Sequence, residues 1–178
     1  MREKILFTLL ARDNEKYIPY LRKCFDLVEN FKENNIYEFE YLVMTNDNTD
    51  KTLEYLEEDK RIKIINLKLE KEILNETRLI RLAYLRQKLL EESRKIKFDY
   101  LIMLDTDIFF NGNIINSGIK KIKEKKLDIL GMNTLSYPFP LFYDFLPFTY
   151  ENKTHDPVKI TKVGLKFLLP YEKIIQPE

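Results

Sequence analysis

Residues 98 to 110 read FDYLIMLDTDIFF, an apolar run that starts at Phe98 and closes on two carboxylates, Asp105 and Asp107, one residue apart. Side chains of an extended chain alternate between faces, so a strand running through this stretch points Asp105 and Asp107 one way and Thr106 the other. Tyr100 to Leu104 has the continuous apolar character of a strand buried on both faces. Unpaired carboxylates at its end repel each other and are costly to desolvate. A cation between them removes that repulsion. Two hard oxygen donors at a strand end suit Mg²⁺ or Mn²⁺, which takes one or two carboxylates and completes its shell with phosphate oxygens and water. The plainer alternative is one Asp that turns the chain and another that caps a nearby backbone group.

Working outward from this stretch, strands and helices alternate. Lys4 to Leu10 is an apolar strand, and Arg12, Asp13 and Asn14 after it turn the chain and cap a helix over about Glu15 to Asn34, whose Ile18, Leu21, Phe25 and Val28 recur at helical spacing. Pro19 is tolerated in the first turn of such a helix. Glu38 to Met44 predicts a second strand, and the small polar side chains of Thr45 to Thr52 open a helix over about Asp50 to Glu58. Arg61 to Leu67 predicts a third strand. A helix over about Asn75 to Lys95 follows, with Leu79, Leu82, Ala83, Leu89 and Leu90 as its apolar stripe and Arg86 set into that stripe in need of a partner. After the acidic strand, Asn113 caps a helix over about Ile114 to Lys125 with Ile115, Ile119 and Ile122 inward, and Leu127 to Asn133 predicts a fifth strand. Leu135 to Phe148, rich in aromatic residues and proline, predicts an ordered loop or edge strand that lines a pocket or seals the core, and Val158 to Pro170 adds a further strand.

This order predicts a Rossmann-like three-layer α/β/α domain, a mostly parallel sheet covered on both faces with right-handed crossovers. Ligands of such sheets bind outside the carboxyl ends of the strands. Here those ends carry Arg12-Asp13-Asn14, the Asn46 to Asp50 turn, and Asp105 with Asp107, so three polar clusters are expected on one rim. The chain has only four glycines, and neither a Walker loop nor a dinucleotide fingerprint is present. A diphosphate on this rim must then be held by metal and basic side chains.

The 178 residues suit one domain with a substantial core. Thirty Lys and Arg against 29 Asp and Glu leave the chain nearly neutral with its charges interspersed, which argues against nucleic acid as the partner. Cys24, the single cysteine, excludes an internal disulfide and a zinc site of several thiolates, and fits a reducing compartment. Charge returns at Arg12 after the short apolar segment near the start, so that segment is expected to be a strand and not a signal peptide. No apolar run reaches the length of a bilayer crossing, and the expectation is a protein that is cytoplasmic or peripheral to membranes.

The chain resembles a glycosyltransferase of the GT-A fold, within it the fungal capsule-type α-1,3-mannosyltransferase family and its relatives. The resemblance rests on Asp105-Thr106-Asp107 as the family's DxD motif, on Asn46 to Thr52 as its Asn-Asp-Ser-x-Asp-x-Thr turn, on Arg78 with Ala83-Tyr84-Leu85-Arg86 as its arginine-rich helix, and on Phe142-Tyr143-Asp144 as its downstream Tyr-Asp segment. It covers most of residues 4 to 148. Asn48 stands where the family has Ser, a mild departure because both cap helices.

The resemblance implies a GDP- or UDP-sugar donor bound with Mn²⁺ or Mg²⁺, and a glycan or protein acceptor. Asp107 would be the direct metal ligand, Asp105 would hold the ribose or a metal-bound water, and His155 is the candidate third ligand. Arg12, Asp13 and Asp47 would recognise base and ribose. Arg78, Arg81 and Arg86 would hold the diphosphate or a loop carboxylate. A retaining enzyme needs no separate general base, whereas an inverting one would use Asp144. Residues 1 to 178 would form one nucleotide-sugar-binding domain with a shortened acceptor-side region over 134 to 178, as a fragment, a compact variant or a donor-binding remnant. A haloacid dehalogenase phosphatase also ends an apolar strand in Asp-x-Asp, but on its first strand. A non-catalytic sugar-nucleotide-binding or scaffolding domain is the other alternative.

Overall fold

A computed structural model describes residues 2 to 130, together with 135–136, 141–142, 149–150 and 153–154. The apolar runs form four strands, β1 (Glu3–Ala11), β2 (Tyr37–Thr45), β3 (Ile62–Asn66) and β4 (Tyr100–Asp105). They lie in the order β3-β2-β1-β4, and every neighbouring pair is parallel. Parallel neighbours need long crossovers. These are supplied by α1 (Ile18–Glu29), by α2 (Thr52–Glu57), and by the short α3 (Lys71–Leu74) followed by α4 (Arg78–Ser93); α5 (Asn113–Lys125) follows β4.

Alternation along the central strands divides the core in two. Ile5, Phe7 and Leu9 of β1 and Tyr41 and Val43 of β2 meet Ile18, Leu21, Phe25 and Val28 of α1 and Ile115 and Ile119 of α5. Leu6, Leu42 and Met44 point through the other face to Leu85 and Leu89 of α4. The sheet is thus sandwiched as expected, and the predicted stripe of α1 is fully buried. The Phe25 and Tyr41 rings stack at 3.9 Å between centroids at the middle of the first cluster.

Several local expectations change. The helix from Glu15 begins only at Ile18 and stops at Glu29, with a separate 3-10 turn over Lys32–Asn34. Its N-cap is Tyr17 without a side-chain cap, because Asn14 is engaged elsewhere. The long helix expected from Asn75 breaks into α3 and α4, and Thr77 caps the second by accepting from the Ile80 amide. Its inward stripe is Leu85, Leu89 and Ser93, while Leu79 is 75% exposed and Arg86 faces outward. Leucines at 79, 82, 85, 89 and 90 support two helical phases, and the sheet selects the one that packs on β1 and β2. Asn113 is the first residue of α5 and Gly112 its N-cap. β4 lies at the sheet edge among the described residues, with Met103 45% exposed, so it is not buried on both faces.

The strand expected at Leu127 to Asn133 does not form over residues 127 to 130. Lys126 takes a left-handed backbone (φ 51°, ψ 49°), and the Leu127 amide donates to the Ile122 carbonyl at 3.0 Å. This helix-ending motif holds Leu127 against α5. Residues 131 to 133 lie outside the described residues, as does the strand expected at Val158 to Pro170. The chain divides into two compact units, Met1–Asp128 and Ile129–Glu178. In the second, β5 (Leu135–Ser136) pairs antiparallel with β6 (Leu141–Phe142), and β7 (Thr149–Tyr150) with β8 (Lys153–Thr154). No helix among the described residues is long and apolar enough to cross a membrane.

Arg61 ties α1 to the start of β3. Its guanidinium bonds Asp59 at 2.7 Å, Asp26 at 2.8 Å and Glu29 at 3.0 Å. The hydrogen bond from Arg61 holds the Asp59 carboxyl below its ordinary range, against the opposing effect of its burial. A carboxyl depressed in the folded state stabilises it above the unfolded pKa, and that contribution disappears as pH falls through the folded pKa. Asp59→Asn is therefore expected to cost about 1–2 kcal/mol in urea denaturation near neutral pH, with the gap from wild type closing below about pH 4. Gly112 offers a second check. A Cβ there would collide with the Leu27 carbonyl oxygen and lie 2.6 Å from Phe31 Cβ. Gly112→Ala should lower stability by about 1–3 kcal/mol in the same assay.

Candidate active site at the carboxyl rim

The parallel register brings the strand ends to one rim, where Leu10 stands opposite both Met44 and Asp105. Alternation along β4 then sorts its side chains. Ile102 and Leu104 pack with the α1 and α5 side, and Leu101 with the α4 side. Continued by two residues, this places Asp105 on the α4 face and Thr106 on the α1 face. Each finds a partner there. Asp105 Oδ1 accepts from Arg86 Nη2 at 3.2 Å. The buried Thr106 hydroxyl donates to Asn14 Oδ1 at 2.9 Å.

Asp107 obeys a different geometry from the one expected. The strand stops at Asp105, and the Ile108 amide donates to the Asp105 carbonyl at 3.2 Å, closing a turn over residues 106 and 107. Strict alternation therefore does not extend to Asp107, which sits half-buried in that turn. The following residues are anchored by their rings. Phe110 stacks on Phe7 with centroids 6.1 Å apart, and Phe109 meets Tyr20 edge-on at 5.5 Å.

The β1–α1 and β2–α2 loops interlock beside this turn. The Asp13 amide donates to Asn48 Oδ1 at 3.1 Å, and Asp13 Oδ1 accepts from the Thr49 amide at 2.7 Å and its hydroxyl at 3.1 Å. The Asn14 amide donates to Thr52 Oγ1 at 2.6 Å, and the Glu15 amide to Asp50 Oδ2 at 3.0 Å. In return, the Lys51 amide donates to Glu15 Oε2 at 3.1 Å. Asp13 and Asp47 hold positive φ angles of 50° and 41°, a conformation that aspartate tolerates better than most residues. Bonds from Thr52 and from the Glu15 and Thr52 amides outweigh desolvation and keep the Asp50 carboxyl below its usual range.

The predicted site residues are thus distributed unevenly. Arg12 and Asp13 lie together at the end of β1, with Arg12 Nε 3.6 Å from Asp13 Oδ2. Asp47 lies in the neighbouring loop. Arg86 reaches Asp105, whereas Arg81 donates to the Leu74 carbonyl at 2.8 Å and secures the end of α3. Arg78 is exposed at the first residue of α4, roughly 12 Å along the helix from Arg86. Asp144 and His155 lie outside the described residues. Among the described residues no three His, Cys, Asp or Glu side chains gather as a metal cluster. The donor set at the strand end is two carboxylates, which fits an ion that fills its shell with phosphate and water. Asn14, expected only to turn the chain and cap a helix, instead joins the ends of β1 and β4 to the start of α2, a role that local pattern does not display because its partners are 38 and 92 residues away.

The sequence pattern of glycosyl transferase family 2 matches residues 14 to 167. The chain belongs to glycosyl transferase family 2. The matched span takes in the interlocked loops from Asn14 onward and the acidic turn after β4. The four-stranded parallel sheet with its helices is a GT-A-like α/β fold. Among solved structures, this family 2 chain is similar to residues 1–349 of S. aureus TarS, with a TM-score of 0.52 and 20% identity over 82% of this chain and 41% of that one. A second TarS structure matches with a TM-score of 0.51 and 21% identity over 81% of this chain and 25% of that one. The chain thus spans less than half the length of these structures, and the likeness at such identity is one of fold. No curated protein matches it.

Asn14→Ala removes the acceptor of the Thr106 hydroxyl and of the Arg12 amide, which donates to Asn14 Oδ1 at 2.9 Å. The expected cost is about 1–3 kcal/mol in chemical denaturation. Hydrogen exchange should rise first at the amides of residues 12 to 15 and 48 to 52.

Proposed function

We propose that the chain is a metal-dependent glycosyltransferase that moves a sugar from a nucleoside diphosphate sugar, GDP- or UDP-linked, to a hydroxyl of a glycan or protein. The observation that carries this reading is Asp105 at the end of β4, exposed on the carboxyl rim beside Arg86, in a chain of glycosyl transferase family 2. Asp105 and Asp107 would hold Mn²⁺ or Mg²⁺, with His155 as a third candidate ligand. The ion, when bound, supplies positive charge that stabilises the departing diphosphate.

The chain's own residues do the remainder. Arg12, Asp13 and Asp47 lie on loops that bond to one another, so the base and ribose would meet a preorganised surface. Arg86, and Arg78 further along α4, present guanidinium groups suited to phosphate oxygens. Positive charge held where negative charge grows favours the transition state over the ground state. As the bond from the anomeric carbon to the diphosphate oxygen breaks, an acceptor hydroxyl takes that carbon and gives up its proton. In a retaining reaction the departing diphosphate oxygen takes that proton and no separate base is needed; in an inverting one Asp144 is the candidate. Mannose as the transferred sugar, and the DxD role of Asp105-Thr106-Asp107, rest on the resemblance to the capsule-type mannosyltransferases.

A sugar-nucleotide-binding domain without turnover is the competing reading. Release of free nucleoside diphosphate from a sugar nucleotide with Mn²⁺ and an acceptor separates the two. Asp107→Ala is expected to remove metal-dependent thermal stabilisation by GDP- or UDP-sugars and to lower any turnover by about 100-fold or more. The variant should unfold near the wild-type temperature without ligand. Unchanged nucleotide affinity with and without Mn²⁺ would reject the assignment.

A further inference from the structure

We propose that Arg86 is the resident cation of Asp105: it keeps the place of the divalent ion and transfers to the diphosphate when ion and nucleotide arrive, so that the two ligands bind as a pair. The inference rests on the reading of Asp105 and Asp107 as the metal-holding acids, and adds the order in which charge is exchanged there.

Three observations support it. The contact is a single bond, Arg86 Nη2 to Asp105 Oδ1 at 3.2 Å, and not the bidentate fork of a locked structural pair. Both side chains are about half exposed, 46% for Arg86 and 54% for Asp105, so neither is held by packing. The neighbouring cation on the helix, Lys88, is engaged with Glu91 at 2.9 Å, which leaves Arg86 as the α4 group bonded to the strand end among the described residues.

The charges give the coupling its sign. Asp105, Asp107 and Arg86 together carry one negative charge. A divalent ion entering alone reverses that to one positive charge, and it must compete with a guanidinium already on its ligand. A diphosphate brings at least two negative charges with the ion, which offsets the excess positive charge, and gives the displaced guanidinium a better partner, since phosphate accepts two parallel bonds from it. Metal and nucleotide each then bind better in the presence of the other, by the same factor in both directions. A residue that merely braced Asp105 for the metal would act with the opposite sign, because its loss would weaken metal binding.

The test is calorimetric titration of Mn²⁺ into the full chain, alone and with saturating GDP or UDP, for wild type, Arg86→Gln, Arg86→Lys and Asp107→Ala. Thermal unfolding of each variant without ligand confirms the fold. Arg86→Gln should bind Mn²⁺ alone about two- to fivefold more tightly, the range expected when an exposed ion pair is removed. The same variant should lose most of the strengthening that nucleotide confers, while Arg86→Lys keeps it in part. Weaker or unchanged Mn²⁺ binding in Arg86→Gln, with wild type still binding and Asp107→Ala not, overturns the exchange and leaves the metal assignment standing. If wild type fails to bind Mn²⁺ in either condition, both fall together.

Discussion

The arrangement of the rim depends on one constraint, the alternation of side chains along β4. Packing of Ile102 and Leu104 against the α1 and α5 core fixes the phase of the strand. With that phase, Asp105 must emerge toward α4 and Thr106 toward the β1–α1 loop. A slip of one residue would exchange them, burying a carboxylate where a hydroxyl now bonds Asn14 and exposing the hydroxyl to Arg86. The core therefore sets the chemistry of the rim without touching it.

Around that constraint the molecule separates rigidity from charge. The hydroxyl side is closed by hydrogen bonds, with Asn14 joined to Thr106 and Thr52 and Asp13 joined to Asn48 and Thr49. The part-buried bonds of Asn14 to the buried Thr106 and Thr52 hydroxyls favour one loop geometry, because leaving those hydroxyls unpaired is costly. The carboxylate side is open, with Asp105 and Arg86 each half exposed and joined by one bond. Such a pair contributes only about 0.2–1 kcal/mol to stability, which leaves it able to rearrange. Interlocked loops beside adaptable charges suit the sugar transfer proposed for this chain, in which the loops would meet the nucleoside and the charges the diphosphate.

The opposite end of α1 shows how the scaffold is held. Arg61 gathers Asp26, Glu29 and Asp59 and lies 5.9 Å above the Tyr41 ring, whose hydroxyl donates to Glu29 at 2.8 Å. This network joins α1, β2 and the turn before β3, away from the strand ends where ligands of parallel sheets bind. The proposed binding groups and the bracing groups thus lie toward opposite ends of α1.

The sequence by itself determined the class of fold, because four apolar runs separated by helical periods have few solutions other than a parallel sheet with helices on both faces. It also determined which polar clusters share a rim, since parallel strands end on the same side. Only the tertiary structure decided where each side chain of those clusters goes. Leucines at 79, 82, 85 and 89 fit two phases of one helix, and contact with the sheet chose the phase that turns Arg86 outward to Asp105. Strand alternation stops before Asp107 because a backbone bond from the Ile108 amide to the Asp105 carbonyl closes a turn there. Residues 127 to 130 after α5 form no strand, and the helix end captures the Leu127 amide there. Where local periodicity allowed several answers, as along α4, contacts distant in sequence selected one.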